Sequence, residues 1–397
     1  MTTSHPGAPN WRRNHAAVTI ATFIGFTGFT LVMPFLPLYF QQLGVREPGA
    51  VAVWSGLCLG VTPAVTAAMT PLWTRLSARF GHKLMVERSL FSFIVIMALT
   101  AFATRPWHVL ALRIVQGFFA GYGPIAMVLA VESAPAEHLA SAIGWVQTAQ
   151  RLGPALGPVI GGLLAGALGL RGAFLASAGV YAVALVLVAV GFRESERRHD
   201  VEAATPPTLE TVRRVPYFVL FVGTIFALQI VDRSFGPILL PYLQGRGVAA
   251  SSVAFLTGVI FTMAAAAAAV GNHFAGWLLK HIRAAWLVPS ACVIAAIAAV
   301  VFAVTPPLAT LCVAAIILGA GIGVATTAVY AEAGHTADAA TRGATFGYLQ
   351  MAYLIGLAVS PILAGFIGWS VSVRAVFNAD ALGLVTLAAC VWFRLSR

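Results

Sequence analysis

Charge is scarce in this sequence. Asp, Glu, Lys and Arg together make up 9% of its 397 residues, against about 25% in an ordinary soluble domain. Cysteine is scarce too. The four present, Cys58, Cys292, Cys312 and Cys390, fall inside apolar stretches and lack metal-ligand spacing, so they read as buried thiols. No G-x-x-x-x-G-K-[ST] occurs, which leaves no nucleotide-hydrolysing engine, and no HExxH, paired acids or Cys/His cluster occurs to support an intramembrane enzyme. The first apolar run lacks a cleavage site and is expected to be retained as a helix after the polar stretch Met1 to Asn14. The apolar stretches do not alternate with polar residues, which argues against a β-barrel.

What is present is apolar mass. Hydrophobic residues make up 59% and the mean hydropathy is +0.89. So much apolar area would coat the surface of a water-soluble globule, which excludes a soluble enzyme, a nucleic-acid binder and a disordered chain. An integral membrane protein remains. A span needs roughly 20 residues, and twelve spans with short loops fill the chain. Apolar segments predict helices near 16–40, 50–73, 84–103, 108–131, 139–166, 172–192, 215–243, 251–277, 285–304, 308–331, 341–366 and 375–394. The one long polar segment, Arg193 to Arg214, carries dense charge and Pro206-Pro207 and reads as a cytoplasmic linker. It divides the chain into an N-terminal six-helix bundle, 1–192, and a C-terminal one, 215–397.

The net charge of +11 reads as topology. With the N-terminus inside, sixteen Lys and Arg fall on inner segments and five on outer ones, so both termini are expected in the cytoplasm. Three arginines, Arg113, Arg151 and Arg233, are left within the spans.

The second half repeats the first at an offset of about 203. Pro34 falls on Pro237, Gly44-Val45 on Gly247-Val248, Gly144 and Gln147 on Gly347 and Gln350. Gly153, Pro158 and Gly162 fall on Gly356, Pro361 and Gly365, and Arg171 and Phe174 on Arg374 and Phe377. Two parallel repeats working about a midplane site are a transporter design.

Three segments carry a resemblance. Pro71-Leu-Trp-Thr-Arg-Leu-Ser-Ala-Arg-Phe-Gly-His-Lys83 resembles the G-x-L-A-D-R-x-G-R-K loop of the major facilitator superfamily. Arg113-Ile-Val-Gln-Gly117 resembles its R-x-x-Q-G, and Gly153-Pro-Ala-Leu-Gly-Pro-Val-Ile-Gly-Gly162 its antiporter signature G-x-x-x-G-P-x-x-G-G. Within that superfamily the chain resembles the twelve-helix proton-coupled drug antiporters. The loop departs from the pattern at Thr74 and Ala78, where the family has Gly and Asp, and keeps Arg79, Gly81 and Lys83 as a turn and a positive anchor. The resemblance implies an all-α membrane fold of two pseudo-symmetric six-helix bundles in a bacterial inner membrane. It also implies alternating access, protons as the driving ion, and a monomer. No cofactor and no nucleic-acid partner is expected; the partners are a small-molecule substrate, protons and the lipid bilayer.

Charges at membrane depth cost about 2.5–3.5 kcal/mol on insertion scales, so each needs a reason. Asp232, near the middle of helix seven, is the expected proton-coupling carboxylate, with a fixed ion pair to an arginine on another helix as the alternative. The motif assigns Arg113 to proton transfer or gating. Gln147, Gln150 and Arg151 share one helical face with Pro154 and Pro158, which makes Arg151 the expected substrate contact. Gln229 and Arg233 form a similar stripe, and Gln350 and Tyr353 match the helix-five face across the repeat. Trp145 and Tyr348 also match and complete the expected cavity. Gly153, Gly157, Gly161 and Gly162 open a groove for close packing, and Pro154 and Pro158 bend the helix, so these are the expected gating positions together with Arg79, Gly81 and Lys83. Asp380 is read as structural, paired with Arg374. Three arginines against one mid-helix acid favour anionic or zwitterionic cargo. A dedicated metabolite or siderophore exporter is the alternative within transport.

Overall fold

The computed structural model is all helical among the described residues, which are 11–122, 125–126, 129, 135, 138–192, 215–304, 307–338 and 341–395. The linker 193–214 lies outside them. Helix α1 (Trp11–Leu31) ends where Pro34 removes a backbone donor. A 3₁₀ turn, Met33–Phe35, and a short α2 (Leu36–Gln42) follow. Next come α3 (Pro48–Phe80), α4 (His82–Ala101) and α5 (Pro106–Phe119). Helix α6 (Leu139–Gly191) leaves helical geometry at Gly169 (φ 71°, ψ 172°), which divides it into two spans. The remaining helices are α7 (Phe218–Gly245), α8 (Ala250–Leu278), α9 (Ala284–Ala303), α10 (Leu308–Thr336), α11 (Arg342–Ser370) and α12 (Val373–Leu395). Ten helices among the described residues are long and apolar enough to cross a membrane. Large apolar side chains such as Phe91, Leu99 and Leu382 stand exposed on them, as a hydrocarbon solvent allows and water does not.

The fourth predicted helix differs from its expected form. Rather than running on from 108 to 131, α5 stops at Phe119; Ala120 is extended and Gly121 has φ +132°. Three donors meet the freed carbonyls. Trp73 Nε1 donates to Phe118 O at 2.5 Å, Ser89 Oγ to Phe119 O at 2.9 Å, and Arg88 Nη2 to the same oxygen at 3.1 Å. An interruption inside an apolar run leaves hydropathy unchanged, so periodicity misses it.

The chain forms two compact units. The first comprises Met1–Met33 and Ala68–Val201, the second Pro34–Ala67 and Glu202–Arg397. In the first, the glycine face of α6 lies on α1. A Cβ at Gly153 would stand 2.8 Å from Phe23 O, and one at Gly157 2.9 Å from Thr27 O, so a side chain at either position displaces backbone. In the second, α11 lies on α7 in the same way. A Cβ at Gly356 would stand 3.0 Å from Phe226 O, and Ser360 Oγ donates to Ile230 O. Gly356, Phe226, Ser360 and Ile230 are Gly153, Phe23, Gly157 and Thr27 each shifted by 203, so the sequence repeat is also a packing repeat.

The second unit also holds a close glycine seam. Along α3, Gly56 faces Pro361 O and Gly60 faces Ala358 O of α11, while Gly365 of α11 approaches Ala52 O at 2.6 Å as measured from an ideal Cβ. Also in the second unit, Gln41 and Gln244, themselves 203 apart, exchange side-chain hydrogen bonds of 2.7 and 3.0 Å.

Candidate functional site

In the second unit, Asp232 and Arg233 lie mid-way along α7. Helix neighbours point about 100° apart, which at the level of sequence separates them. In the structure the long Arg233 side chain reaches back to the aspartate, and Arg233 Nε stands 2.9 Å from Asp232 Oδ2. Tyr353 of α11 borders Arg233 as a hydrogen-bonding neighbour, and Tyr330 of α10 borders Tyr353. An ion pair flanked by phenols lowers the cost of charge at this depth. Gln229, one turn earlier, is buried against Gly356, and its Nε2 has no partner among the described residues. Asp232, Arg233, Tyr353 and Gln229 therefore gather where α7 meets α11.

The first unit has its own polar interior. Arg113 of α5 is 1% exposed, and its Nη1 donates to Gln116 Oε1 at 2.6 Å. Tyr181 lies within electrostatic reach of this guanidinium. Tyr122 donates to Thr22 Oγ1 at 3.3 Å, and Ser177 Oγ donates to Gly28 O at 2.8 Å. The last two contacts tie Tyr122, just beyond α5, and α6 to α1 through groups that would be unsatisfied in hydrocarbon.

Other expected positions fall apart from these clusters. Trp145 is 60% exposed, and Gln350 is exposed. Tyr348 packs edge-on against Phe218 at 5.6 Å in a small cluster with Val215 and Ala337 at the start of α7, away from the Asp232 cluster. Gln150 is half-buried. The side chains of Gln147 and Arg151 lie outside the described ones. Pro154 is half-buried, and Pro158, Gly161 and Gly162 are buried in α6.

The loop between α3 and α4 does specific work. Gly81 has φ +92°, a conformation that disfavours any side chain. Lys83 Nζ donates to Ala189 O at 2.9 Å and to Phe192 O at 2.8 Å, so it caps the last carbonyls of α6, where a cation also meets the negative helix end. Arg13 Nη2 adds a bond to Val190 O at 3.1 Å. Arg79 is exposed and lies over the Phe80 ring.

Two further features were not anticipated. Arg88 stacks on Trp73 with its guanidinium carbon 3.4 Å from the ring centroid, which holds it against the α5 end. Asp380 does not pair with Arg374, which is exposed. It accepts from Ser234 Oγ at 2.6 Å and lines a cavity of about 190 Å³ in the second unit. No group of three metal-ligating side chains occurs among the described residues.

Comparison with known proteins accounts for this arrangement. The family model described as Major Facilitator Superfamily matches residues 18–308 and 228–397. Multidrug resistance protein MdtG of Erwinia billingiae is 31% identical over 395 residues, covering 98% of this chain and 95% of that protein. MdtG of Salmonella paratyphi C is likewise 31% identical, covering 98% and 96%. Among solved structures, a bacterial homolog of the human lysosomal transporter Spinster, inward-facing and occupied, superposes with TM-score 0.81 at 18% identity, over 96% of each chain. A point mutant of the nucleoside transporter NupG superposes with TM-score 0.78 at 11% identity, over 96% of this chain and 99% of its own. The chain belongs to the Major Facilitator Superfamily, as a multi-pass membrane transporter of its multidrug group rather than an enzyme.

Proposed function

We propose that this transporter exports small anionic or zwitterionic molecules across the bacterial inner membrane in exchange for protons, by alternating access between two six-helix halves, 1–192 and 215–397, joined by the linker 193–214. The observation that carries the reading is the Asp232–Arg233 pair at membrane depth, with Tyr353 beside it. A zwitterion opens this pair by meeting both partners, its anionic group on Arg233 and its cationic group on Asp232. A proton on Asp232 then competes with the cargo for the same carboxylate. Cargo loaded on one side releases the proton, and a proton taken up on the other side expels the cargo, which is exchange. A purely anionic cargo that used Arg233 with Asp232 protonated would move in the same direction as the proton. Exchange of such a cargo therefore has the anion bound at Arg151, with Gln147 and Gln150 as polar contacts, while Asp232 still carries the proton and Arg113 gates its path. The chain works as a monomer.

The test uses inverted vesicles holding an acid-inside gradient. Anionic and zwitterionic compounds collapse the gradient with wild-type protein and fail to do so with Asp232→Asn. Collapse by lipophilic cations alone removes the charge preference. Movement of labelled anion that ignores the gradient removes proton coupling.

A further inference from the structure

The cavity beside Asp380 lies wholly within the second unit, bounded by α7, α11 and α12. Most of its wall is apolar, and Leu363, Ala379 and Gly383 on its margin are exposed on helices apolar enough to span a membrane. Asp380 is 5% exposed, and among the described residues Ser234 is its one polar partner. That partner is shared. Ser234 Oγ also lies 2.9 Å from Val231 O, and a hydroxyl has one proton to give. A carboxylate can accept about four hydrogen bonds. This one has at most one shared donor and no cation within ion-pair distance among the described residues.

The repeat supplies a comparison inside the same chain. Position 177 is 203 residues before 380, and it holds Ser177, which donates to Gly28 O at 2.8 Å; Gly28 in turn corresponds to Val231. A neutral serine therefore suffices to tie the corresponding helix to its inner neighbour in the first unit. In the second unit that tie is made from α7 by Ser234, and the outer helix instead presents a carboxyl to an apolar cavity. A neutral hydrogen-bonding group serves at this position in the first unit, so the tie by itself does not call for a charge.

We propose that the Asp380 cavity is a binding site for an amphiphilic amine that enters from the bilayer, its ammonium placed against the Asp380 carboxylate and its hydrocarbon body along Leu363, Leu384 and Leu387. Charge complementarity selects the occupant. An ammonium brings the donors that Ser234 cannot supply and cancels the carboxylate's charge, whereas an anion is repelled. The volume of about 190 Å³ is enough for one slender chain. The site lies apart from the Asp232 cluster, favours the opposite charge to the proposed cargo, and does not rest on the antiport reading.

The test is photolabelling at equilibrium, with no gradient, of full-length protein in phosphatidylcholine liposomes by a diazirine-bearing alkylamine. Labelled residues are mapped by mass spectrometry. Label is expected on 363–367 and 376–387, displaced by octylammonium and not by octanol or octanoate. Asp380→Asn is expected to weaken octylammonium competition by roughly tenfold or more, the scale of a lost charge-assisted hydrogen bond. Gly383→Leu, at a position where a Cβ meets nothing within 4 Å, fills the cavity and removes the label with Asp380 intact. If Asp380→Asn does not fold, Gly383→Leu decides alone. Label spread evenly over all lipid-exposed helices, displacement by octanol as efficient as by octylammonium, or label that persists in Gly383→Leu overturns the proposal. Asp232→Asn keeps the label, whatever its transport phenotype, so failure here and failure of the antiport reading remain distinct.

Discussion

Arg233 and Lys83 show two uses of a cation in one membrane protein. Arg233 is neutralised by its sequence neighbour at 2.9 Å, mid-way along an apolar helix. Lys83 is spent on two carbonyls at the end of α6. Both uses answer the same requirement, that a charge or an open backbone group near the bilayer finds a partner. At this scale Gly81 gives a direct expectation. Its φ of +92° with ψ of 146° lies in a region that essentially glycine alone adopts, so Gly81→Ala costs about 1–3 kcal/mol. A lowered Tm in detergent checks it, and an unchanged Tm means that the turn relaxes freely.

At the scale of elements, the glycines of α6 and α11 decide how closely the helices approach. Apolar contact is no advantage over lipid, so helices associate through close packing and polar ties. Gly153 and Gly157 bring α6 against backbone oxygens of α1, and Gly356 brings α11 against α7. Gly157→Leu is expected to destabilise the first unit by about 1–3 kcal/mol, the usual cost of overpacking. Thermal unfolding followed by tryptophan fluorescence measures it, with Gly166→Leu, where a Cβ has open space, as the neutral control. The interruption of α5 belongs to this scale as well. It stands because Trp73, Ser89 and Arg88 satisfy the carbonyls it frees.

For the whole molecule, the distribution of Lys and Arg sets the expected orientation. Sixteen against five predicts that both ends of the chain lie in the cytoplasm. Green fluorescent protein fused at either end is expected to fluoresce, and alkaline phosphatase fused after the last residue to remain inactive. Active phosphatase reverses the orientation. The offset of 203 acts at this scale too, since it relates Gly153 to Gly356 in packing and Gln41 to Gln244 in a reciprocal amide pair.

Composition by itself determined the class of protein, because apolar surface on this scale is compatible only with a lipid solvent. Spans, repeat and family followed from patterns local in sequence: apolar runs, a fixed offset, and the glycine-proline signature at 153–162. The glycine face was legible for the same reason, since helical spacing fixes which residues share a side. Partnership was not. That Asp232 folds onto Arg233, that Tyr348 packs on Phe218, and that Asp380 meets Ser234 rather than Arg374 depends on which helices adjoin and how side chains bend. Residues 234 and 380 meet only after α7 and α12 have packed, because spacing along the chain carries no information about distance across a bundle. Tertiary structure alone decided which side chain each of these residues meets.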